Sequence, residues 1–103
     1  MKQNESKRAP RTVKLVWRVH ALEKLVQRNI SRDEVKWVLK QGGFIEDYPN
    51  DKPYPSMLVM GKTKRGRVLH IVCAFNKPQN ECIIITVYEP DSLKWSADFK
   101  KRR

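Results

Sequence analysis

The sequence predicts an α+β domain in which two N-terminal helices pack on one face of an antiparallel sheet of about four strands, with a possible fifth strand in front. Three observations predict it. Between residues 19 and 41 the apolar side chains recur at helical spacing. From residue 44 to 89, β-prone runs alternate with Pro, Asn and Gly punctuation. A chain of 103 residues that is 40% hydrophobic fits one domain with one modest core.

Residues 12–19, Thr-Val-Lys-Leu-Val-Trp-Arg-Val, are β-prone and lead into the first helix, expected over residues 19–28. That helix places His20, Lys24, Gln27 and Arg28 on one side and Leu22, Leu25 and Val26 on the other. Ser31 followed by Glu34 spells a capping box for a second helix over residues 32–41. Asp33 and Glu34 also suit the positive end of its dipole. Val35, Val38 and Leu39 point inward, and Gly42-Gly43 is expected to stop the helix in the left-handed conformation open to glycine.

Strands are then expected at 44–48, 57–62, 67–75 and 81–89, separated by a proline-rich loop (49–55), a basic turn (63–66) and the Asn76–Asn80 connection. Ile83-Ile-Ile85 suits a central strand covered on both faces. Leu93, Trp95 and Phe99 are enough to dock a final turn or short helix. No internal repeat is visible.

The net charge of +11 is large for this length and concentrated at the ends. Residues 1–12 carry Lys2, Lys7, Arg8 and Arg11 against Glu5, and residues 100–103 read Lys-Lys-Arg-Arg. The expected organisation is a basic arm (1–12), one α+β domain (13–99) and a basic tail (100–103). Such charge attracts polyanions with little sequence selectivity: RNA, DNA or an acidic protein partner. No run is apolar enough to span a membrane, no strongly apolar helix face accompanies the charge, and no secretory signal is visible, so the expected location is cytoplasmic. Cys73 and Cys82 lack metal-ligand spacing and read as buried thiols.

His20 is the first chemical candidate, because an imidazole exchanges protons near neutral pH and Lys24 and Arg28 lie beside it to contact phosphates. A helix-start histidine also serves structure alone, through hydrogen bonds to backbone or sheet. His70 lies mid-strand, sharing one face with Val68, Val72 and Ala74, while Arg67, Leu69, Ile71, Cys73 and Phe75 occupy the other. It is half-buried by that pattern, in a structural role or on a ligand-binding sheet face. The hairpin register, which the loop length leaves open, decides whether Thr86 and Tyr88 share its face. Tyr88, at the end of the strongest strand, suits an aromatic stacker, a phosphate donor or core rim. Trp17, Trp37 and Trp95 read as core anchors before base-stacking platforms. Lys62, Lys64, Arg65 and Arg67 form a hairpin-tip cluster with no aromatic nearby in sequence, either a solvated turn or a contact to nucleic-acid phosphates. No nucleotide-binding glycine loop, metal-binding motif or Ser-His-Asp signature is present, and no cofactor is implied.

Several segments in order resemble a family of small bacterial proteins known as domain of unknown function 4258. They are His20-Ala with Arg28-Asn-Ile-Ser, residues 35–42, Ile45-Glu-Asp-Tyr48, Gly66-Arg-Val-Leu-His-Ile-Val72 and Ile85-Thr-Val-Tyr-Glu-Pro90, together covering about residues 18–90. Where the family often has an arginine inside the first helix, this chain has Lys24, which keeps the charge without the bidentate fork. The resemblance implies a domain similar to the RelE and BrnT group of toxin ribonucleases, and family members often look like toxin partners beside a small antitoxin gene. On that reading His20, Arg28, His70 and Tyr88 are the catalytic positions of a metal-independent endoribonuclease, with His20 or His70 as base or acid. Lys24 and Arg28 form the charge clamp and Tyr88 is an orienting donor. The alternatives are a nucleic-acid binder without catalysis, using the tails and residues 62–67, and an interaction module for an acidic antitoxin.

Overall fold

The computed structural model describes residues 13–103, so the expected N-terminal arm, residues 1–12, lies outside the described residues. Strand β1 (Lys14–Trp17) leads into helices α1 (Val19–Arg28) and α2 (Arg32–Gln41). Strands β2 (Gly43–Tyr48), β3 (Ser56–Lys62), β4 (Val68–Asn76) and β5 (Glu81–Tyr88) follow, with one turn of 3₁₀-helix at Lys77–Gln79. The sheet order is β1-β5-β4-β3-β2. The α+β class and both helix spans agree with the sequence, but the sheet has five strands and is mixed. β2 to β5 form an antiparallel meander, while β1 pairs parallel with β5 at the far edge. That non-local pairing leaves no periodic trace in the sequence.

The corner between the helices is set by local chemistry. Asn29 adopts the left-handed conformation (φ 55), and the turn is closed by Asn29 N–H to Val26 O and Ile30 N–H to Leu25 O. This is a Schellman-type end with Ile30 buried behind it. Ser31 then caps α2 reciprocally with Glu34, as the spacing predicted.

Gly42 is needed for a reason other than the expected left-handed stop. Its backbone is extended (φ −81, ψ −179). A Cβ there would lie 2.5 Å from Met60 O and 2.6 Å from Val38 O, so only glycine lets α2 run straight into β2 against β3. Gly61 faces the same crossing, where a Cβ would come within 3.0 Å of Gly42 Cα.

The main core lies between the helices and one face of the sheet. It joins Ala21, Leu25, Ile30, Val35 and Val38 to Val59, Leu69, Ile71, Cys73, Cys82, Ile84 and Val87. Trp17 and Trp37 pack against its edge. Cys73 and Cys82 are free buried thiols, and their mutual contact together with burial pushes the Cys73 thiol up. Leu58, Ala74, Ile83 and Trp95 are equally buried but lie outside this cluster, on the opposite face. That second face is covered by the C-terminal segment, residues 91–103.

The Lys-Lys-Arg-Arg run expected as a tail is part of that cover. Trp95 bridges Arg102, Ser96 N–H donates to Lys101 O, and Arg103 N–H donates to Lys94 O. The Arg102 guanidinium stacks 4.7 Å from the Trp95 ring centroid. The chain folds back because Trp95, 3% exposed, has an apolar sheet face to bury against. No helix among the described residues is long and apolar enough to cross a membrane.

Candidate functional site

Register decides what the second face carries. β4 and β5 pair His70 with Tyr88 and Val72 with Thr86, so all four side chains share that face. Met60 of β3 pairs with His70, and Lys62 pairs with Val68 two residues on, which adds Lys62 to the same surface. A bulge between Val72 and Cys73 leaves Ile85 unpaired and restores Ile84 to the helix side.

His70 is completely buried, yet both ring nitrogens are satisfied. Nε2 lies 2.8 Å from Phe99 O and Nδ1 lies 3.2 Å from the Tyr88 hydroxyl. A carbonyl only accepts, so Nε2 carries the proton and Nδ1 is left to accept from Tyr88. Trp95 stands edge-on to the imidazole at 4.4 Å. Burial pushes the His70 pKa below its ordinary value, the bond to Phe99 opposes that shift, and the Arg102 charge adds to it. The ring is therefore a neutral acceptor at neutral pH.

Tyr88 is half-buried, and burial raises its phenol, with Arg102 opposing and Glu46 reinforcing the rise. Tyr48 donates to Glu46 at 3.1 Å and also feels Tyr88 and Arg102. The second face thus gathers two phenols, a neutral imidazole, a carboxylate and a guanidinium.

His20 and Arg28 are not part of that group, although the sequence reading joined them to it. The His20 side chain is 90% exposed on α1, with Glu23 at 3.5 Å. Lys24 donates to Gln27 at 3.4 Å. Arg28 donates to Val87 O at 2.7 Å. Beyond Ile84, β5 has no pairing with β1, and Arg28 satisfies that uncovered strand edge from the helix side. The helices pack on the face opposite His70 and Tyr88, so the four positions divide between the two sides of the sheet.

Arg67 is also reassigned. Expected among the phosphate-binding cations, it instead spends its guanidinium within the fold. It donates to Arg28 O (2.8 Å), Asn29 O (2.7 Å), Glu34 Oε1 (3.3 Å), and both oxygens of Glu89 (3.0 and 3.5 Å). This clamps the carbonyl end of α1 to α2 and to the residue after β5.

Lys64 and Arg65 remain exposed at the β3–β4 tip. The tip does have an aromatic neighbour: Lys64 Nζ sits 4.6 Å from the centre of the Trp37 ring, contributed by α2. Sequence separation hid that contact. Among the described residues, no cluster of three or more His, Cys, Asp or Glu side chains is placed to hold a metal ion.

The family model described as a domain of unknown function (DUF4258) matches residues 17–89. The chain belongs to that family. Comparison with curated proteins and with solved structures found no match. The DUF4258 match runs from Trp17 at the end of β1 to Glu89, the Arg67 partner, and so takes in His70 and Tyr88. It stops short of the segment carrying Trp95, Phe99 and Arg102, which makes the cover over His70 an addition to the matched region.

Proposed function

We propose that this DUF4258 protein is a toxin-like endoribonuclease that works with side chains alone on the sheet face opposite the helices. The observation that carries this reading is the His70–Tyr88 hydrogen bond beside Arg102. Neutral His70 stands behind the half-buried Tyr88 as a proton acceptor. A ribose 2′-hydroxyl placed at Tyr88 gives its proton to the phenolic oxygen as Tyr88 passes its own to His70 Nδ1. The 2′-oxygen then bonds to the adjacent phosphorus and the bond to the 5′-oxygen breaks; the leaving oxygen takes a proton from solvent, and His70 Nδ1 returns its proton through Tyr88 to solvent, which restores the neutral imidazole. Arg102 meets the negative charge that builds on the phosphoryl oxygens. Lys62 and the cations of residues 100–103 supply sequence-independent attraction for the strand.

This relay answers the main objection to His70, its complete burial, because His70 acts through Tyr88 and never touches RNA. The same burial favours a second reading, RNA binding without cleavage. Incubation of the protein with structured and single-stranded RNA separates the two. Cleavage that disappears in Tyr88→Phe and falls in Arg102→Ala supports the enzyme. Binding with no cleavage by the wild-type protein supports the second reading.

A further inference from the structure

We propose that the cleft between the α1–α2 corner and the β3–β4 hairpin is a subsite for one unpaired nucleobase and its phosphate. The inference rests on the RNA reading above and extends it to a region that reading does not use. The cleft has a volume of about 770 Å³ and is lined by Val26, Asp33, Trp37, Lys64 and Arg65 among others.

Its wall is stiff. Arg67 ties Arg28 O, Asn29 O, Glu34 and Glu89 together, and Ser31 and Glu34 cap each other, so these groups are held in place by bonds within the fold. The groups that project into the space are of the other kind. Asp33, Lys64 and Arg65 have no hydrogen-bond or ion-pair partner among the described residues. Asp33 and Arg65 are therefore unspent, and Lys64 is engaged over the Trp37 ring.

The chemistry of those groups selects the ligand. Trp37 packs one side of its indole on the core and is covered on the cleft side by Lys64. Stacking of a base on an indole is stronger than an exposed cation–π contact, so a base displaces the ammonium from the ring. Lys64 is then beside the backbone phosphate of the same nucleotide, with Arg65 next to it. Asp33 stands four residues before Trp37 on the same helix face, where its carboxylate accepts from a base edge that carries donors. Guanine offers two adjacent N–H donors, at N1 and N2, and suits a carboxylate best.

The cleft and the Tyr88 face meet at the β3–β4 hairpin. Lys64 and Arg65 belong to its tip, and Lys62 leads from the tip onto the Tyr88 surface. One strand crossing this hairpin reaches both.

The test is fluorescence anisotropy with labelled short oligouridylates, one uniform and one carrying a single central guanosine. The wild-type protein is expected to bind the guanosine-bearing strand more tightly and to lose tryptophan emission as it does so. Trp37→Leu weakens binding by about tenfold, the scale of one lost stack. Asp33→Asn, at an exposed position that leaves folding intact, equalises the two strands. Binding by wild type with both variants unchanged overturns the subsite and leaves the RNA reading standing. A wild-type protein that binds neither strand overturns both.

Discussion

The Nε2–H of His70 donates to the backbone carbonyl of Phe99 at 2.8 Å, across 29 residues of chain. That bond fastens the C-terminal segment to the middle of β4, with Trp95 edge-on to the same ring and Arg102 stacked on Trp95. The segment is as firmly held as this imidazole is neutral, which gives the fold a pH dependence of known sign.

His70 has a depressed pKa when folded, while in the unfolded chain it takes a proton near 6.5. Above 6.5 both states are neutral and the group contributes no slope. As pH falls below 6.5 the unfolded state binds the proton first, so stability drops, by at most about 1.4 kcal/mol per pH unit for one group. The facing groups are the Tyr88 hydroxyl, the Phe99 carbonyl, the Trp95 ring and the Arg102 cation, and none offers a negative charge to stabilise imidazolium. Urea denaturation from pH 7.5 down to about 5 should show the decline in wild type and a shallower one in His70→Gln.

Arg67→Ala should lower stability by about 1–2 kcal/mol, because it removes the side-chain donor from two helix-end carbonyls and from Glu34, whose carboxylate keeps its bond to Ser31. Arg67→Lys should recover less than half, since one ammonium does not span partners on three elements. Arg65→Ala, at an exposed position, serves as the neutral control. Thermal unfolding of the three variants distinguishes a fold clamp from a phosphate contact.

Gly42→Ala should cost about 3 kcal/mol, since its Cβ meets two backbone oxygens that belong to α2 and β3. Gly43→Ala has open space around the new methyl and should stay within about 0.5 kcal/mol of wild type. Denaturant midpoints of these adjacent substitutions give a direct comparison.

His20→Ala should leave both stability and RNA cleavage within about twofold of wild type, as expected for an exposed side chain paired with exposed Glu23. A large loss of cleavage in this variant would return the chemistry to α1 and away from the sheet.

The sequence made local structure legible and long-range structure only in part. Both helices could be read because Leu25, Val35 and Val38 repeat at helical spacing and Ser31 and Glu34 sit at capping distance. The faces of β4 were equally clear, and His70 lies with Val68, Val72 and Ala74 as alternation requires. Its partnership with Tyr88 needed the register, which the turn at residues 77–79 does not dictate. The parallel pairing of β1, the Trp37–Lys64 contact and the return of residues 100–103 onto Trp95 all join distant segments. The place of Arg67 was hidden for a related reason. A cation in a basic turn looks solvated until the helix end it serves is in view.

The central claim is that Tyr88, backed by neutral His70, takes the 2′-hydroxyl proton. Mass spectrometry of the RNA ends left by wild type and Tyr88→Phe tests it most directly. The account predicts 2′,3′-cyclic phosphate and 5′-hydroxyl ends from wild type, none from Tyr88→Phe, and none at a nucleotide whose 2′-hydroxyl is replaced by hydrogen. Intact RNA with wild type, or the same ends at the same rate from Tyr88→Phe, would contradict it.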